Sequence, residues 1–327
     1  MQVETTSLHH VPHPTARIGI GTWVMGGWMW GGAEDVQSLR TLREAFEGGL
    51  NFIDTAPVYG FGRAEELVGK AIREYGRRED ITLATKVGLE WNEGKITRNS
   101  SPKRIRQEIE DSLERLQTSY IDLYIIHWPD LQRPLQDAAE TMHALLEEGK
   151  IRSIGVSNFS TEQMNIFRKY APLHMIQPPY NLFERAAESD ILPTARKNDI
   201  KSMTYGAICR GLLSGKMKPD TQFDGDDLRR KDPKFREPRY RQYLAAVEEL
   251  DQLAQQHNKR VIHLAVRWIL DKGVDTALWG VRKPEQLEAL HEAMNWQLRE
   301  SDMEEVENIL VRNITDPIEP VFMAPPA

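Results

Sequence analysis

The feature that most constrains the fold is a regular alternation of short apolar segments with longer amphipathic segments along the chain. The apolar segments predict eight β-strands, at residues 17–22, 50–55, 81–86, 120–127, 151–157, 174–179, 200–206 and 275–280. Helix-start signals stand between them, as at Ser101 and Pro102, where a serine precedes a proline at the first helical position. A strand followed by a helix, repeated many times, indicates a parallel sheet covered by helices.

Eight such units without an evident linker predict one α/β domain over residues 1–327, folded as a (β/α)8 TIM barrel. The alternative is a doubly wound, Rossmann-type sheet, which is built from the same units. Three departures from the repeat are expected: an N-terminal hairpin, a long charged loop over 206–239 after the seventh strand, and a proline-rich tail after Asn313. Loops of that length are usually functional or disordered.

Composition limits the classes of function open to the chain. The formal net charge of −7 argues against a general nucleic-acid surface, and no apolar stretch reaches the roughly 18 residues of a membrane-spanning helix. Cys209 is the only cysteine, so no internal disulfide is possible, and the polar N-terminus lacks a signal-peptide pattern. These features predict a cytoplasmic protein that binds neither nucleic acid nor membrane, and nothing indicates an obligate protein partner.

Side chains that can carry chemistry follow three consecutive predicted strands. Asp54 follows the second strand, Lys86 the third and His127 the fourth, while Tyr59 lies on the loop five residues after Asp54. In a barrel the carboxyl ends of the strands meet at one face, and neighbouring strands lie about 4.8 Å apart. The four side chains are therefore expected to converge there.

Together these four side chains suit an acid–base step at a carbonyl oxygen. A tyrosine hydroxyl has an ordinary pKa of about 10, and the neighbouring ammonium of Lys86 is expected to lower the pKa of Tyr59. Asp54 would keep the buried lysine charged, and His127 would orient or donate to the carbonyl. Each residue alone is more simply a rim ion pair or a packed side chain, so the interpretation depends on the set. No metal-spaced cluster is present, and no metal is predicted.

The motifs around these residues resemble those of the aldo-keto reductase superfamily, with the greatest likeness to its bacterial general-stress-protein type. The four side chains lie in NFIDTAPVYGFGRAEELVGKAI, LATK and YIDLYIIHWPD. The likeness extends over nearly the whole chain through IGVSNFS, IQPPYNLFER, YGAICRGLLSGKM, LWGVRKPEQLEAL and the ending FMAPP. The resemblance implies reversible, NADP(H)-dependent reduction of aldehydes and ketones to alcohols. It also implies that Tyr59 is the general acid/base, Lys86 its pKa partner, Asp54 the partner of the lysine, and His127 the residue that orients the carbonyl.

The resemblance further implies where NADP(H) binds. Neither glycine-rich stretch, 19–27 or 211–217, matches a dinucleotide or P-loop fingerprint. Basic residues instead follow the seventh and eighth strands, where phosphate sites recur in barrels. The implied cofactor contacts are Gly21, Thr22, Asp54, Ser157, Asn158, Gln177, Tyr205, Gly206, Ala207, Ile208, Cys209, Arg210, Lys216, Arg229, Gly280, Val281, Arg282 and Gln286.

Within that set, the resemblance assigns roles that the residues alone would not reveal. Ser157, Asn158 and Gln177 would bond the nicotinamide carboxamide, and Tyr205 would stack on its ring. By themselves, Ser157 and Asn158 are more simply a helix N-cap pair, and Tyr205 a core residue. The pyrophosphate would meet Arg210, Lys216 and Arg229. The adenosine 2′-phosphate would meet Arg282, aided by Lys283, because a guanidinium binds phosphate through two parallel hydrogen bonds.

Two further expectations concern the substrate and the N-terminus. Trp23 and Trp128 lie near the predicted active face and are expected to line a pocket for an apolar or aromatic carbonyl. The histidines at 9, 10 and 13 are interpreted as a mobile surface cluster rather than a metal site.

Two other functions share the barrel. One is a nucleotide-binding, redox-sensing or regulatory module with slow turnover. The other is a cofactor-free isomerase or lyase that forms a Schiff base at Lys86. The complete set of four side chains favours the reductase.

Overall fold

A computed structural model describes residues 2–326 and contains a closed eight-stranded barrel. The strands are β1 (Thr5–Thr6), β2 (Thr15–Ala16), β3 (Ile18–Gly21), β4 (Phe52–Asp54), β5 (Thr82–Val87), β6 (Leu89–Asn92), β7 (Lys95–Arg98), β8 (Ile121–Ile126), β9 (Ile151–Ser157), β10 (Met175–Gln177), β11 (Lys201–Thr204) and β12 (Thr276–Gly280). The barrel closes in the order β3-β4-β5-β8-β9-β10-β11-β12, and every neighbouring pair is parallel. The predicted (β/α)8 barrel is confirmed, and closure rules out the open Rossmann-type sheet.

Helices connect the strands of the barrel. They are α1 (Trp23–Gly26), α2 (Asp35–Glu47), α3 (Arg63–Tyr75), α4 (Pro102–Leu116), α5 (Leu135–Glu147), α6 (Thr161–Phe167), α7 (Ile191–Lys197), α8 (Arg239–Gln255), α9 (Val261–Asp271), α10 (Leu287–Glu292) and α11 (Glu300–Asn313). Helix α4 begins as predicted, because the Ser101 hydroxyl accepts the N–H of Arg104 and Pro102 is its first residue. Within residues 2–326, no helix is long and apolar enough to cross a membrane.

Two antiparallel hairpins lie outside the barrel sheet. The predicted N-terminal hairpin pairs β1 with β2, and Leu8, between these strands, packs with the barrel-lining side chains Phe52, Leu123 and Met203. The second hairpin pairs β6 with β7 beyond the end of β5, and it was not predicted. The Asn-Glu-Gly-Lys sequence at its tip was the available signal, since Gly94 adopts a positive φ of 78° there.

The long loop after β11 is ordered by short 3-10 turns. These are Cys209–Ser214, Leu228–Arg230 and Pro233–Phe235. The loop also contacts the segment after β3, where the Asp226 carboxylate accepts the backbone N–H groups of Met29 and Gly31 at 2.7 and 3.1 Å. The predicted loop is therefore a packed element at the carboxyl end of the barrel.

The N-terminal histidines contact neighbouring side chains, although His10 is exposed. The ring of His10 lies 4.8 Å from that of His174, and the ring of His9 lies 5.9 Å from it. His13 bonds the hydroxyl of Thr82 at 3.0 Å. Among the described residues, no group of three or more His, Cys, Asp or Glu is arranged to hold a metal ion. Burial, followed by the charges of His10 and His9, lowers the pKa of His174 to about 4.

The low pKa of His174 predicts a loss of stability in acid. A folded-state pKa below the ordinary 6.5 means that this contribution is present above about pH 6.5 and is lost as the pH falls towards 4. In His174→Asn, whose amide oxygen can still accept the Ile154 N–H, we expect the free energy of unfolding in urea to fall less over this range than in wild type. His143→Asn, on the surface of α5, is the control and should behave as wild type. An equal fall in His174→Asn and wild type would contradict the assignment.

Candidate active site

The structure brings the four predicted side chains together at the carboxyl end of the barrel. Asp54 ends β4, Lys86 lies near the end of β5, and His127 directly follows β8. Tyr59 lies on the connection between β4 and α3, where its N–H donates to the carbonyl of Ala56. Parallel pairing of neighbouring strands is what places these residues at the same level.

A buried ion pair lies at the centre of the site. Lys86 Nζ donates to Asp54 Oδ1 at 2.6 Å and to the carbonyl of Thr55 at 2.9 Å, and the two charged residues are only 1% and 3% exposed. The second carboxylate oxygen, Oδ2, accepts Gln177 Nε2 at 2.9 Å. These bonds use two of the three N–H groups of the ammonium, which lies 4.8 Å from the centre of the Tyr59 ring.

Two rings hold the tyrosine in place. The indole of Trp23 stacks on Tyr59 with 5.8 Å between ring centres and 17° between planes. The imidazole of His127 meets Tyr59 edge-on, with the same separation and an interplanar angle of 83°. The tyrosine ring is thus held between an indole and an imidazole, which fixes its orientation.

The protonation states follow from burial. Burial, followed by the negative charge of Asp54, raises the pKa of Tyr59 well above its ordinary value. This is the reverse of the predicted lowering by Lys86, because burial and the carboxylate that neutralises the lysine both oppose a tyrosinate. Burial lowers the pKa of Lys86 and Asp54 opposes that change, whereas burial and then Lys86 lower the pKa of His127 well below 6.5. The site therefore holds a protonated tyrosine beside a neutral imidazole.

The residues assigned to the carboxamide form one hydrogen-bonded chain. Ser157 Oγ donates to the carbonyl of Gln177 at 2.8 Å. Asn158 Nδ2 donates to Ser157 Oγ at 3.0 Å and to the carbonyl of His127 at 2.9 Å, while Asn158 Oδ1 accepts the Tyr205 hydroxyl at 2.8 Å. The chain brings the ends of β9, β10 and β11 together and joins them to His127.

Two of the predicted phosphate-binding arginines lie against one indole. The guanidinium of Arg229 lies 5.5 Å from the centre of the Trp30 ring and is held by Asp227 through bonds of 2.9 and 2.5 Å. Arg282 lies 5.8 Å from the same ring and donates to the carbonyl of Trp30 at 2.5 Å. Lys216 is exposed and has no ion pair within residues 2–326. These three cations lie on the loops where the sequence predicts a phosphate site.

Arg210 differs from its predicted role. Its guanidinium is buried, where Nε donates to Asp232 at 2.6 Å and both Nη atoms bond the carboxylate of Glu184. The side chain has no free donor face for a pyrophosphate, because a buried arginine requires carboxylate partners. Those partners are 22 and 26 residues away in sequence, which is why the local pattern did not reveal them.

The glycines predicted at the cofactor site lie at the same rim. Gly21 of β3 pairs with Gly280 of β12, and a Cβ on Gly21 would meet no atom closer than 3.8 Å. Thr22 donates both its N–H and its hydroxyl to the carbonyl of Asp54, at 3.0 and 3.1 Å.

The remaining predicted contacts form turns beyond β11 and β12. The turn 206–209 closes through the Cys209 N–H and the Gly206 carbonyl at 2.7 Å and includes Ala207 and Ile208. Beyond β12, Val281 is buried, and Gln286 accepts the backbone N–H of Arg282 at 2.8 Å.

A pocket lies beside Lys86 and His127, and an apolar cluster adjoins it. This small pocket is lined by Pro57, Val58, Lys86, Val87, Leu89 and His127. An apolar cluster that shares Val58 and Leu89 with this pocket is packed by Trp128, predicted as a pocket residue, and by Trp28 and Trp91, which the sequence did not distinguish from packing residues. Phe61 joins these two indoles, with ring separations of 5.0 and 5.6 Å.

Known proteins share this architecture. A model of the aldo/keto reductase family matches residues 17–311. Aldo-keto reductase YhdN of Bacillus subtilis is 55% identical over 326 residues, or 99% of this chain and 98% of that protein. A glycerol dehydrogenase from Gluconobacter oxydans has a TM-score of 0.90 at 49% identity, covering 99% of this chain and 100% of that one. An aldo/keto reductase from Klebsiella pneumoniae in complex with NADP and acetate has a TM-score of 0.75 at 27% identity, covering 97% and 99%. The chain therefore belongs to the aldo/keto reductase family.

Proposed function

We propose that this oxidoreductase reduces aldehydes and ketones with NADPH and that Tyr59 is its proton donor. The observation that carries the proposal is the buried Lys86–Asp54 ion pair, whose ammonium lies 4.8 Å from the ring of a protonated tyrosine. The alignment of Tyr59 between Trp23 and His127 provides the fixed geometry that general acid catalysis requires.

The proposed mechanism divides the chemistry between the cofactor and the chain. When bound, NADPH supplies a hydride to the carbonyl carbon of the substrate. Tyr59 then donates its hydroxyl proton to the carbonyl oxygen as negative charge develops there. Lys86 stabilises the resulting tyrosinate, and Asp54 holds the lysine charged in a buried place. The neutral imidazole of His127 donates its N–H to the same oxygen and so orients the carbonyl.

The proposed cofactor position runs from Tyr205 across the rim to Arg282. Ser157, Asn158 and Gln177 offer hydroxyl and amide groups suited to a carboxamide, and Tyr205 offers a ring face for the nicotinamide. Lys216 and Arg229 would bind the pyrophosphate, and Arg282 the 2′-phosphate that distinguishes NADP from NAD. The NADP complex of the similar Klebsiella protein supports this choice of cofactor.

The proposed substrate is a small carbonyl compound with an apolar or aromatic substituent. Trp28, Trp91 and Trp128 pack on the same apolar cluster as Tyr59 and would exclude water from the reacting oxygen. The similar Gluconobacter protein is a glycerol dehydrogenase. Oxidation of an alcohol is the reverse of carbonyl reduction, so it would use the same tyrosine as a base.

Replacement of the proton donor is the direct test. In Tyr59→Phe we expect NADPH oxidation with a panel of aldehydes to slow by a factor of about 100 or more. The cofactor Kd from fluorescence titration should change less than about twofold, because the hydroxyl is not one of the proposed cofactor contacts. Equal rates in wild type and variant would contradict the role of Tyr59. Tight cofactor binding by wild type with no turnover across the panel would instead favour the regulatory module, and borohydride trapping at Lys86 would favour the Schiff-base enzyme.

The pH dependence of carbonyl reduction should reflect the shifted pKa values. The raised pKa of Tyr59 preserves the proton-donating form in alkali, and the lowered pKa of His127 keeps the imidazole neutral at and above about pH 6.5. We expect kcat/KM for the aldehyde, at saturating NADPH, to vary by less than about threefold between pH 6.5 and 9. An inflection near pH 6.5 that disappears in His127→Asn would refute the neutral imidazole.

The proposed contact of Arg282 with the 2′-phosphate can be tested by comparing the binding of NADPH and NADH. Loss of a charge-assisted contact with a phosphate typically costs about 1.5–3 kcal/mol, so Arg282→Ala should raise the Kd of NADPH by a factor of about 10 to 100. The Kd of NADH should stay within about twofold, because NADH lacks the 2′-phosphate. Lys231→Ala, an exposed residue of the long loop, is the matched control and should bind both cofactors as wild type does. If Arg282→Ala raised the Kd of NADH as much as that of NADPH, the assignment of Arg282 to the 2′-phosphate would be overturned.

A further inference from the structure

Four buried charged side chains form a network between the segment after β10 and the long loop after β11. Glu184, Asp232 and Lys234 have no exposed surface, and the side chain of Arg210 is 4% exposed. Arg210 bridges the carboxylates of Glu184 and Asp232, the latter at 2.6 Å. Lys234 Nζ lies 2.9 Å from Glu184 as an ion pair whose angle falls outside hydrogen-bond geometry. Two positive and two negative charges therefore neutralise one another out of contact with water.

Burying these charges is not an efficient way to stabilise a fold. Each buried ion loses several kcal/mol of hydration, and apolar residues of similar volume often serve a core as well or better. Burial alone would raise the pKa of Glu184, but Arg210 and Lys234 outweigh it and hold that pKa below its ordinary value. The carboxylate thus stays charged, and the network is a set of directional bonds rather than a packing device.

The network joins three segments that are distant in sequence. Glu184 lies after β10, Arg210 lies near the start of the long loop, and Asp232 lies near its end. Asn181 adds a fourth link, because its Nδ2 bonds Glu184 at 2.7 Å and the carbonyl of Gly206 at 3.0 Å. The bonds therefore converge on the stretch 206–211, which connects Tyr205 to the phosphate-binding loop.

The stretch 206–211 has a strained backbone. Cys209 and Arg210 are consecutive non-glycine residues with positive φ values of 45° and 55°, and Gly206 and Gly211 flank them at 77° and 90°. A non-glycine residue in this region costs on the order of 1–3 kcal/mol and persists where its surroundings impose it. The clamped guanidinium of Arg210 is such a constraint, since it anchors the second strained residue from both sides.

This backbone presents donors of the kind that bind anions. The N–H groups of Ala207 and Ile208 have no hydrogen-bond partner within residues 2–326. Successive N–H groups around residues of alternating handedness form concave sites for phosphate oxygens. The two N–H groups lie in sequence between Tyr205, at the proposed nicotinamide end, and Lys216, at the proposed phosphate end.

We propose that Glu184, Arg210 and Asp232, with Lys234, are positioning residues that hold the backbone of 206–211 in the shape that binds the cofactor diphosphate. The guanidinium of Arg210 is held by Glu184 and Asp232 and so fixes the backbone at Arg210 without contacting the cofactor. This inference rests on the proposed use of a nicotinamide dinucleotide. It does not depend on whether that dinucleotide is NADP or NAD, because both carry the diphosphate.

Arg267 provides a matched control for a purely structural effect. Its side chain is 2% exposed and also bonds two carboxylates, those of Glu4 and Asp271. It lies on α9, and its partner Glu4 belongs to the N-terminal segment that closes the other end of the barrel. Arg210→Met and Arg267→Met remove the same chemical group from comparable surroundings, but only Arg210 lies within 206–211.

The experiment compares these variants as full-length proteins with three ligands. Kd values are measured by titration for NADPH, NADH and adenosine 2′-monophosphate, which carries the 2′-phosphate without the diphosphate. We expect Arg210→Met to raise the Kd of both dinucleotides by a similar factor of at least about 10. The Kd of adenosine 2′-monophosphate should stay within about twofold, and so should kcat at saturating NADPH. Arg267→Met should lower the urea midpoint but leave all three Kd values within about twofold.

Three results would overturn the inference. The first is that Arg210→Met leaves the Kd of both dinucleotides unchanged. The second is that it raises the Kd of adenosine 2′-monophosphate as much as that of the dinucleotides, and the third is that Arg267→Met raises the dinucleotide Kd values as much as Arg210→Met does. If Arg210→Met does not fold, the same comparison is made with Asp232→Asn, which keeps an oxygen for the Lys234 N–H and removes the charge facing Arg210. For Asp232→Asn we expect the Kd of both dinucleotides to rise about three- to tenfold, and unchanged Kd values would refute the inference. Failure of wild type to bind either dinucleotide would instead refute the proposed function.

Discussion

The ion pair between Lys86 and Asp54 is the interaction on which the rest of the site depends. A lysine that is 1% exposed can remain charged only beside a carboxylate, and the 2.6 Å bond to Asp54 supplies it. The same carboxylate accepts Gln177, which ties the pair to the end of β10. One carboxylate thus sets the charge state of the lysine and the position of a residue proposed to hold the cofactor. Burial is the main cause of the raised pKa of Tyr59, and that negative charge adds to it.

The barrel and the convergence of the four central side chains were predictable because both depend on local pattern. Alternating apolar and amphipathic segments specify strands and helices, and parallel strands bring their carboxyl ends to one face. The convergence of Asp54, Lys86 and His127 could be predicted from their positions relative to the strand ends alone. Stacking of Trp23 on Tyr59 was less accessible, since it depends on the path of the loop after β3.

The features that escaped prediction depend on contacts between distant segments or on burial. The clamp on Arg210 comes from Glu184 and Asp232, and nothing in the local sequence distinguishes that arginine from Arg229, which lies against Trp30. The direction of the Tyr59 pKa shift was also mistaken. The charge of Lys86 was evident from the sequence, but the opposing effects of burial and of Asp54 appear only when the chain is folded.

The N-terminal hairpin has a consequence for how protons move. Leu8 fills the base of the barrel together with Phe52, Leu123 and Met203, so an apolar layer separates Lys86 from solvent on that side. In the proposed reaction, Tyr59 would therefore recover its proton from the carboxyl end of the barrel, where His127 follows β8. Substrate and product would enter and leave at the same end. Proton recovery and ligand exchange would then depend on one face of the barrel.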